Sequence, residues 1–564
     1  MNRKERRKLQ KLNKKNHAFP GNASSIDQAN QFYDIGDLEN AEIFCIKAIQ
    51  ENNENPIAFL ILGLIAYRQG QHETAINMLE QSSKLAPNDP ATQNSIGVVL
   101  KSTGKLEKAR QSYDLAISLD PRFSPAYNNR GNLFLELRKF TQAEENFVKA
   151  IQLNPKYADA HSNLSQVFYL QEKFPEAEAA SNNALKINPN NPVILCKAGE
   201  IQFAMGNIPQ SLRLLKKAHA RDPADAKSSN NLGAVLVEVG EFKEAERLFV
   251  RSLTSSPNYL DALTNLAKCL HLQTRYVEAI QVFEKIVQVD EKNSIVHTNL
   301  AILKFLENDF PSASRHLDKI NEKTCSKLQD IKFCRTYKSY LSALVYFWQG
   351  TEPGVSPNST NDTHAIAIGD SHAASLHGLV FENSQGKPLA IVSQIIIGCK
   401  AWHIANADKN KWKRTLTASF KKLKEGDYCF LTLGEIDCRP DEGIATYYNS
   451  SGVSKEEIIN LTVSDCLGFV KGLIRKHAIK IIILAIPAPL QQLGGGIIGG
   501  NNHIQTVKAF NAKLAVECEK NNFQFLDTYQ ATTLPNESIN PDCYIDRTHV
   551  KPTTYQTILI PKTL

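Results

Sequence analysis

An α-solenoid followed by a three-layer α/β domain with a parallel sheet is the fold class this 564-residue sequence predicts. Two observations carry it. A self-similar unit of 34 residues recurs without insertion from residue 56, and from residue 364 onward apolar runs alternate with helical segments. Composition agrees: 42% hydrophobic and 22% charged residues describe a globular chain, and the longest apolar runs, such as "IKIIILAIPAPL", are too short to cross a bilayer. The formal charge of +7 is local. "MNRKERRKLQKLNKK" holds eight Lys or Arg against Glu5, which leaves the remaining chain balanced and argues against a nucleic-acid-binding face.

The repeat explains residues 22 to 323. Units begin at 56, 90, 124, 158, 192, 226 and 260, with weaker units opening at Asn22 and Ser294, about nine in all. Position eight is small (Gly63, Gly97, Gly131, Ser165, Gly199, Gly233, Ala267, Ala301), and so is position twenty (Ala75, Ala109, Ala143, Ala177, Ser211, Ala245, Ala279, Ala313). Two helices approach closely where both faces are small, so these columns are expected to meet. Position twenty-four is mostly large (Leu79, Tyr113, Phe147, Leu215, Phe249, Phe283, Leu317) and is expected to fill space toward the next hairpin. Pro87, Pro121, Pro155, Pro189, Pro223 and Pro257 close each second helix.

This pattern resembles the tetratricopeptide repeat (TPR) family, which implies a right-handed superhelix with a concave groove for a protein or peptide partner. At position six stand Asn129, Asn163, Asn231, Asn265 and Asn299. Amides at that spacing suit a grip on an extended peptide backbone, and the ladder is similar to those of protein O-GlcNAc transferases; asparagine is also simply frequent at this position. "KLQDIKFCRTYKSYLSALVYFWQG" reads as a helix that seals the open end, and "GTEPGVSPNSTND" as a linker. The predicted organisation is a basic leader over 1–21, a solenoid over 22–323, a capping helix and linker over 324–362, and an α/β domain over 363–564. The leader lacks the apolar segment of a secretory signal, and the eleven cysteines include no C-x-x-C pair. Both features point to a cytoplasmic protein with no structural metal.

In the last 200 residues or so the runs "AIAIG", "LAIVSQIIIG", "YCFLTLG", "KIIILAIP" and "FQFLD" read as strands, with helices over about 371–383, 409–424, 454–476 and 503–521. In such sheets ligands bind beyond the carboxyl ends of the strands, where this chain puts its polar residues. The first strand ends on Gly369-Asp370-Ser371-His372, the third on "LGEIDCR", and the last is followed by "CYIDRTHV". Asp370 and Ser371 suit a helix N-cap as well as a site. Asp546, three residues before His549, lies close enough to fix the imidazole tautomer, and backbone N–H groups at Ser371 can stabilise an oxyanion. "QQLGGGIIGGNN" lacks the ending of a phosphate loop and reads as a rim loop.

The blocks G-D-S (Gly369, Asp370, Ser371) and D-x-x-H (Asp546 to His549) resemble those of the SGNH, or GDSL-type, hydrolase superfamily. The resemblance implies Ser371 as nucleophile, His549 as general base, Asp546 as its orienting acid, and the N–H groups of Ser371 and Gly398 as oxyanion hole, with no cofactor. The family's third block, G-x-N-D, reads Gly434-Glu435-Ile436-Asp437, so isoleucine replaces an asparagine donor. Loss of one such donor costs about 2.7–4 kcal/mol of barrier. Asp370, His372, Glu435, Asp437 and Arg439 are candidates for the site's lining. Two functions follow: a serine esterase, or O-acyltransferase if a sugar hydroxyl replaces water, acting on acyl esters of a glycan or small molecule while the repeats recruit a protein; or an inactive hydrolase-like scaffold whose role is protein binding.

Overall fold

The computed structural model describes residues 24–349 except 326, residues 364–489 with interruptions at 384, 386, 398, 407, parts of 440–451 and 475–477, and residues 500–559 except 536–538 and 546–548. The basic leader, the linker after residue 349, most of the glycine-rich loop, Gly398 and Asp546 lie outside the described residues.

Nine helix pairs fill residues 25 to 318, from Ser25–Asp34 with Leu38–Glu51 to Ser294–Leu306 with Phe310–Asp318, among the described residues. Their boundaries follow from local chemistry. Asn55, Asp89 and Asn191 accept from the first free N–H groups of their helices, and Pro56, Pro90 and Pro192 occupy the first helical position, where the missing donor costs nothing. Each first helix of the regular units ends with a residue of positive φ: Gly70, Gly104, Gly206 and Gly240 without strain, Arg138, Glu172, Thr274 and Asn308 at some cost. The prolines that close the second helices stand two residues beyond the last helical position, as at Leu85 and Pro87.

Packing within a pair adds a contact to the expected scheme. A Cβ placed on Gly97 would come 2.5 Å from the Tyr113 ring, on Gly131 2.7 Å from Phe147, and on Gly199 2.5 Å from Leu215. The small residue at position eight therefore receives the large residue at position twenty-four of its own hairpin, and that large residue also joins a core with the next one, as expected: Tyr113 with Leu133, Phe147 with Leu164 and Val167, Leu79 with Val99. The unit from Ala158 pairs Ser165 with Ser181 at the same two positions, which keeps the combined volume modest. Tyr113 is fully buried, so Gly97→Val has no free volume to use. We expect it to cost about 2 kcal/mol, read as a lower urea midpoint by circular dichroism, with helical content retained.

Two compact units divide the chain: Met1–Asp222, with six of the pairs, and Pro223–Leu564, with three pairs, the helix Leu328–Gln349 and the α/β region. In the second unit a mixed six-stranded sheet is formed by β1 (Ala365–Gly369), β2 (Val380–Glu382), β3 (Pro388–Ile395), β4 (Tyr428–Thr432), β5 (Lys480–Leu484) and β6 (Gln524–Leu526). The order is β2-β3-β1-β4-β5-β6, all parallel except β2, which pairs antiparallel with β3. The edge strand β2 corrects the helix expected over 371–383. Residues Ser371–Leu376 form one short 3-10 segment, Gly378 breaks it at φ +78°, and the alternating Val380-Phe381-Glu382 pairs with β3. The short helices Ala401–Ala405 and Pro552–Leu559 also escaped the sequence reading, being too brief to show a period.

Alternate strand residues feed two cores. Cys429, Leu431, Ile481 and Ile483 pack with Leu416, Val463 and Phe510. Tyr428, Phe430, Ile482 and Leu484 join a core that includes Phe305, Leu317, Tyr340 and Leu344. The helix Leu328–Gln349, expected to seal the last repeat, thus packs against both that repeat and the sheet. Two neutral histidines tie the same junction. His377 Nδ1 accepts the Ser393 N–H (3.1 Å) and its Nε2 lies 3.2 Å from Asn308 Oδ1 in the last hairpin turn, while His271 hydrogen-bonds the backbone of Ile395. Burial pushes both down to about 4. On the rim of the junction Lys411 meets Glu238 (2.7 Å) and Arg414 meets Glu241 (3.2 Å).

Candidate active site

Ser371 stands two residues past the end of β1, one of the two central strands, where the chain must turn close to its neighbour. A Cβ on Gly369 would sit 2.1 Å from the Thr432 carbonyl oxygen, so only glycine permits this approach of β1 to β4. The Asp370 N–H then donates to Thr432 O (3.1 Å), which continues the ladder one residue past the strand and delivers Ser371 to the sheet's carboxyl edge. His549 reaches the same edge from the opposite end of the sequence. Tyr544 and Val550 form an antiparallel bridge, and the Ile545 N–H donates to His549 O (2.8 Å), which fixes the backbone that carries the imidazole.

His549 Nε2 lies 2.8 Å from Ser371 Oγ, across 178 residues of sequence. The imidazole is 1% exposed and the serine half-buried. This is hydrogen-bond geometry between an alcohol and a base in a largely dry setting, the arrangement in which a serine is activated as a nucleophile. Asp546, the expected orienting acid, and Gly398, the expected second oxyanion donor, lie outside the described residues.

The candidate lining residues divide. Asp370, buried, accepts from the N–H of His372 (3.0 Å) and faces its Nδ1 (3.2 Å), and the His372 ring stands 5.1 Å from that of His549, so both belong to the site. Arg439 is half-buried and its charge acts on the buried Tyr337, as does that of Asp370. Asp437 is fully buried and points elsewhere. Its carboxylate accepts the N–H groups of Ala401 (2.7 Å) and Trp402 (3.1 Å) at the start of the helix after β3. Desolvation nevertheless outweighs these bonds and raises its pKa to about 6. Glu435 belongs to the short helix Glu435–Cys438, but its side chain is not among those described, nor is that of Ile436. No cluster of three His, Cys, Asp or Glu side chains that could hold a metal ion occurs among the described residues.

One residue of the site was missed. Tyr340, on the helix Leu328–Gln349, stacks on His549 with ring centroids 3.8 Å apart and 13° between planes. Its neighbours Tyr337, Leu341, Leu344, Val345 and Trp348 share a buried face. Their helical period signals burial but not the identity of the partner.

The asparagine column engages its own repeats. Asn129 Nδ2 donates to Asn94 (2.9 Å), Asn163 Nδ2 to Asn128 (2.9 Å) while its Oδ1 accepts from Lys197 (2.8 Å), and Asn265 Nδ2 to Asn230 (3.0 Å). Asn231 Oδ1 accepts from Asn230 (3.3 Å), and Asn299 is buried and donates to Ile295 O of its own helix. The first four are half-buried.

A family model described as the Cilia and flagella-associated protein 70 C-terminal domain, a tetratricopeptide module, matches residues 58–263. The chain carries a tetratricopeptide-repeat solenoid. Among solved structures, the APC/C hetero-tetramer Cut9-Hcn1 is 16% identical with a TM-score of 0.47, covering 56% of this chain and 62% of that one. The chain thus spans under two thirds of that protein's length. PilF of Pseudomonas aeruginosa is 21% identical (TM-score 0.33; 37% and 94% covered), and a tetratricopeptide protein of Parabacteroides merdae 20% (0.35; 44% and 97%). No curated protein matches the chain. Among the described residues no helix is long and apolar enough to cross a membrane.

Proposed function

We propose that the α/β region is a serine acyl-ester hydrolase with an SGNH-like three-layer fold, and that the tetratricopeptide solenoid recruits the protein that carries or accompanies its substrate. The observation that carries the reading is the 2.8 Å contact between Ser371 Oγ and His549 Nε2 at the carboxyl edge of a sheet. The two apolar cores on opposite faces of that sheet support the layered fold.

In the proposed reaction Ser371 Oγ attacks an ester carbonyl while His549 Nε2 takes its proton. The tetrahedral oxygen is held by the Ser371 N–H, with Gly398 as the second donor implied by the family resemblance. Collapse expels the alcohol, which receives the proton from His549, and leaves an acyl-serine. Water, deprotonated by the same imidazole, then releases the acid and restores Ser371. A glycan hydroxyl in place of that water would make the same machinery an O-acyltransferase.

Ile436 at the donor position favours a second reading, a hydrolase-like scaffold without turnover. Purified full chain and its Ser371→Ala variant, assayed on p-nitrophenyl acetate and butyrate, separate the two. Release of nitrophenol by the wild type alone supports the esterase. Equal background rates in both proteins count against the esterase and favour the scaffold.

A further inference from the structure

We propose that Tyr340 is a positioning residue for the Ser371–His549 pair, so that a helix packed on the last repeat serves as a wall of the acyl-ester site. The inference rests on the esterase reading and extends it to the part of the chain that joins the solenoid to the sheet.

Three contacts converge on this side chain. Its ring lies flat against the imidazole, 3.8 Å between centroids and 13° between planes, which leaves His549 little freedom to rotate away from Ser371. Its hydroxyl donates to Ser371 O (3.0 Å), the carbonyl of the nucleophile's own residue. The same hydroxyl lies 2.7 Å from Ser375 Oγ, which donates to Val550 O (2.6 Å), the residue that follows His549. Because Ser375 spends its proton on Val550, the single Tyr340 proton is shared between Ser371 O and Ser375 Oγ. One fully buried side chain thus fixes the plane of the base, the backbone of the nucleophile and the strand that carries the base.

Packing alone does not account for this arrangement. Leucine would fill the core beside Leu341 and Leu344 but would present no ring to His549, and neither leucine nor phenylalanine would donate to Ser371 O. Positioning of this kind acts on the chemical step and not on ground-state affinity, since Tyr340 touches the reacting pair through their backbone and ring faces.

Tyr340→Leu and Tyr340→Phe in the full chain test it. The leucine variant is expected to lose kcat on p-nitrophenyl acetate by on the order of 100-fold at unchanged KM, as a displacement of about 1 Å would cause. Phenylalanine keeps the ring and should recover most of that loss. In chain labelled with carbon-13 histidine, the His549 ring protons, assigned with His549→Gln, should move downfield in the leucine variant and stay in place with phenylalanine. Unchanged kcat in Tyr340→Leu, or a loss confined to KM, overturns the proposal. If neither wild type nor Ser371→Ala hydrolyses ester, the esterase reading has failed by itself; the His549 signals then decide the contact, and identical positions in wild type and Tyr340→Leu overturn it.

Discussion

His549→Ala is expected to reduce hydrolysis of p-nitrophenyl acetate by about 10⁴-fold, the cost typical of removing a member of a serine–histidine unit. The serine hydroxyl is a weak nucleophile unless its proton has a destination, and His549 Nε2, at 2.8 Å, is the base the described residues place on it. Two groups that act as one unit are not additive. The double variant Ser371→Ala/His549→Ala should therefore be no slower than either single variant. An active-site fluorophosphonate should label the wild-type chain at Ser371 and leave His549→Ala unlabelled. If His549→Ala keeps more than a tenth of wild-type activity, the imidazole is not the base. His372 would then be the next group to examine, since its ring lies 5.1 Å from that of His549.

Acid should loosen the junction between repeats and sheet. His271 and His377 are buried at that junction with folded pKa values near 4, below the ordinary imidazole value of 6.5. The unfolded chain therefore binds their protons first as pH falls, and stability present above pH 6.5 is lost progressively toward pH 4. The full loss is about 3 kcal/mol for each histidine. Asp437 opposes this in part. Its folded pKa, about 6, is raised above the unfolded value, so its burial is unfavourable at neutral pH and that penalty is relieved as pH falls. A difference measurement isolates the histidine. His377→Gln should be less stable than wild type at pH 7.5, because it no longer accepts the Ser393 N–H as the imidazole does. Its urea midpoint should nevertheless fall less than the wild-type midpoint on going to pH 4.5. Parallel curves for the two proteins would remove His377 from the acid response.

Both predictions depend on contacts between distant segments, and these divide what could be read in the sequence from what could not. The helix pairs were legible because proline, glycine and asparagine act within a few residues of where they stand: Asn55 caps the helix that Pro56 begins, and Gly70 ends it. The strands were legible from runs such as "YCFLTLG", since a strand covered on both faces is apolar throughout. Ser371 and His549 were singled out by residue type at strand ends. The full set of partners of a large side chain was not legible. Tyr113 was expected to fill space toward the next hairpin and does join Leu133 there, but it also covers Gly97 in its own, where a Cβ would come 2.5 Å from the ring. Likewise β2 was hidden in a segment too short for its period to show, and it forms because β3 offers an unpaired edge.

Local chemistry in the sequence determined the repeat, the helix ends, the succession of strands β1, β3, β4, β5 and β6 along the chain, and the candidate serine and histidine at the sheet's edge. Tertiary structure alone decided that a tyrosine of the helix after the last repeat stacks on His549, and that Asp437 clamps a helix start instead of joining the pair. The reason is physical. Capping and periodicity act over one or two turns, whereas the face a buried ring meets depends on which cavity remains after all other elements have packed.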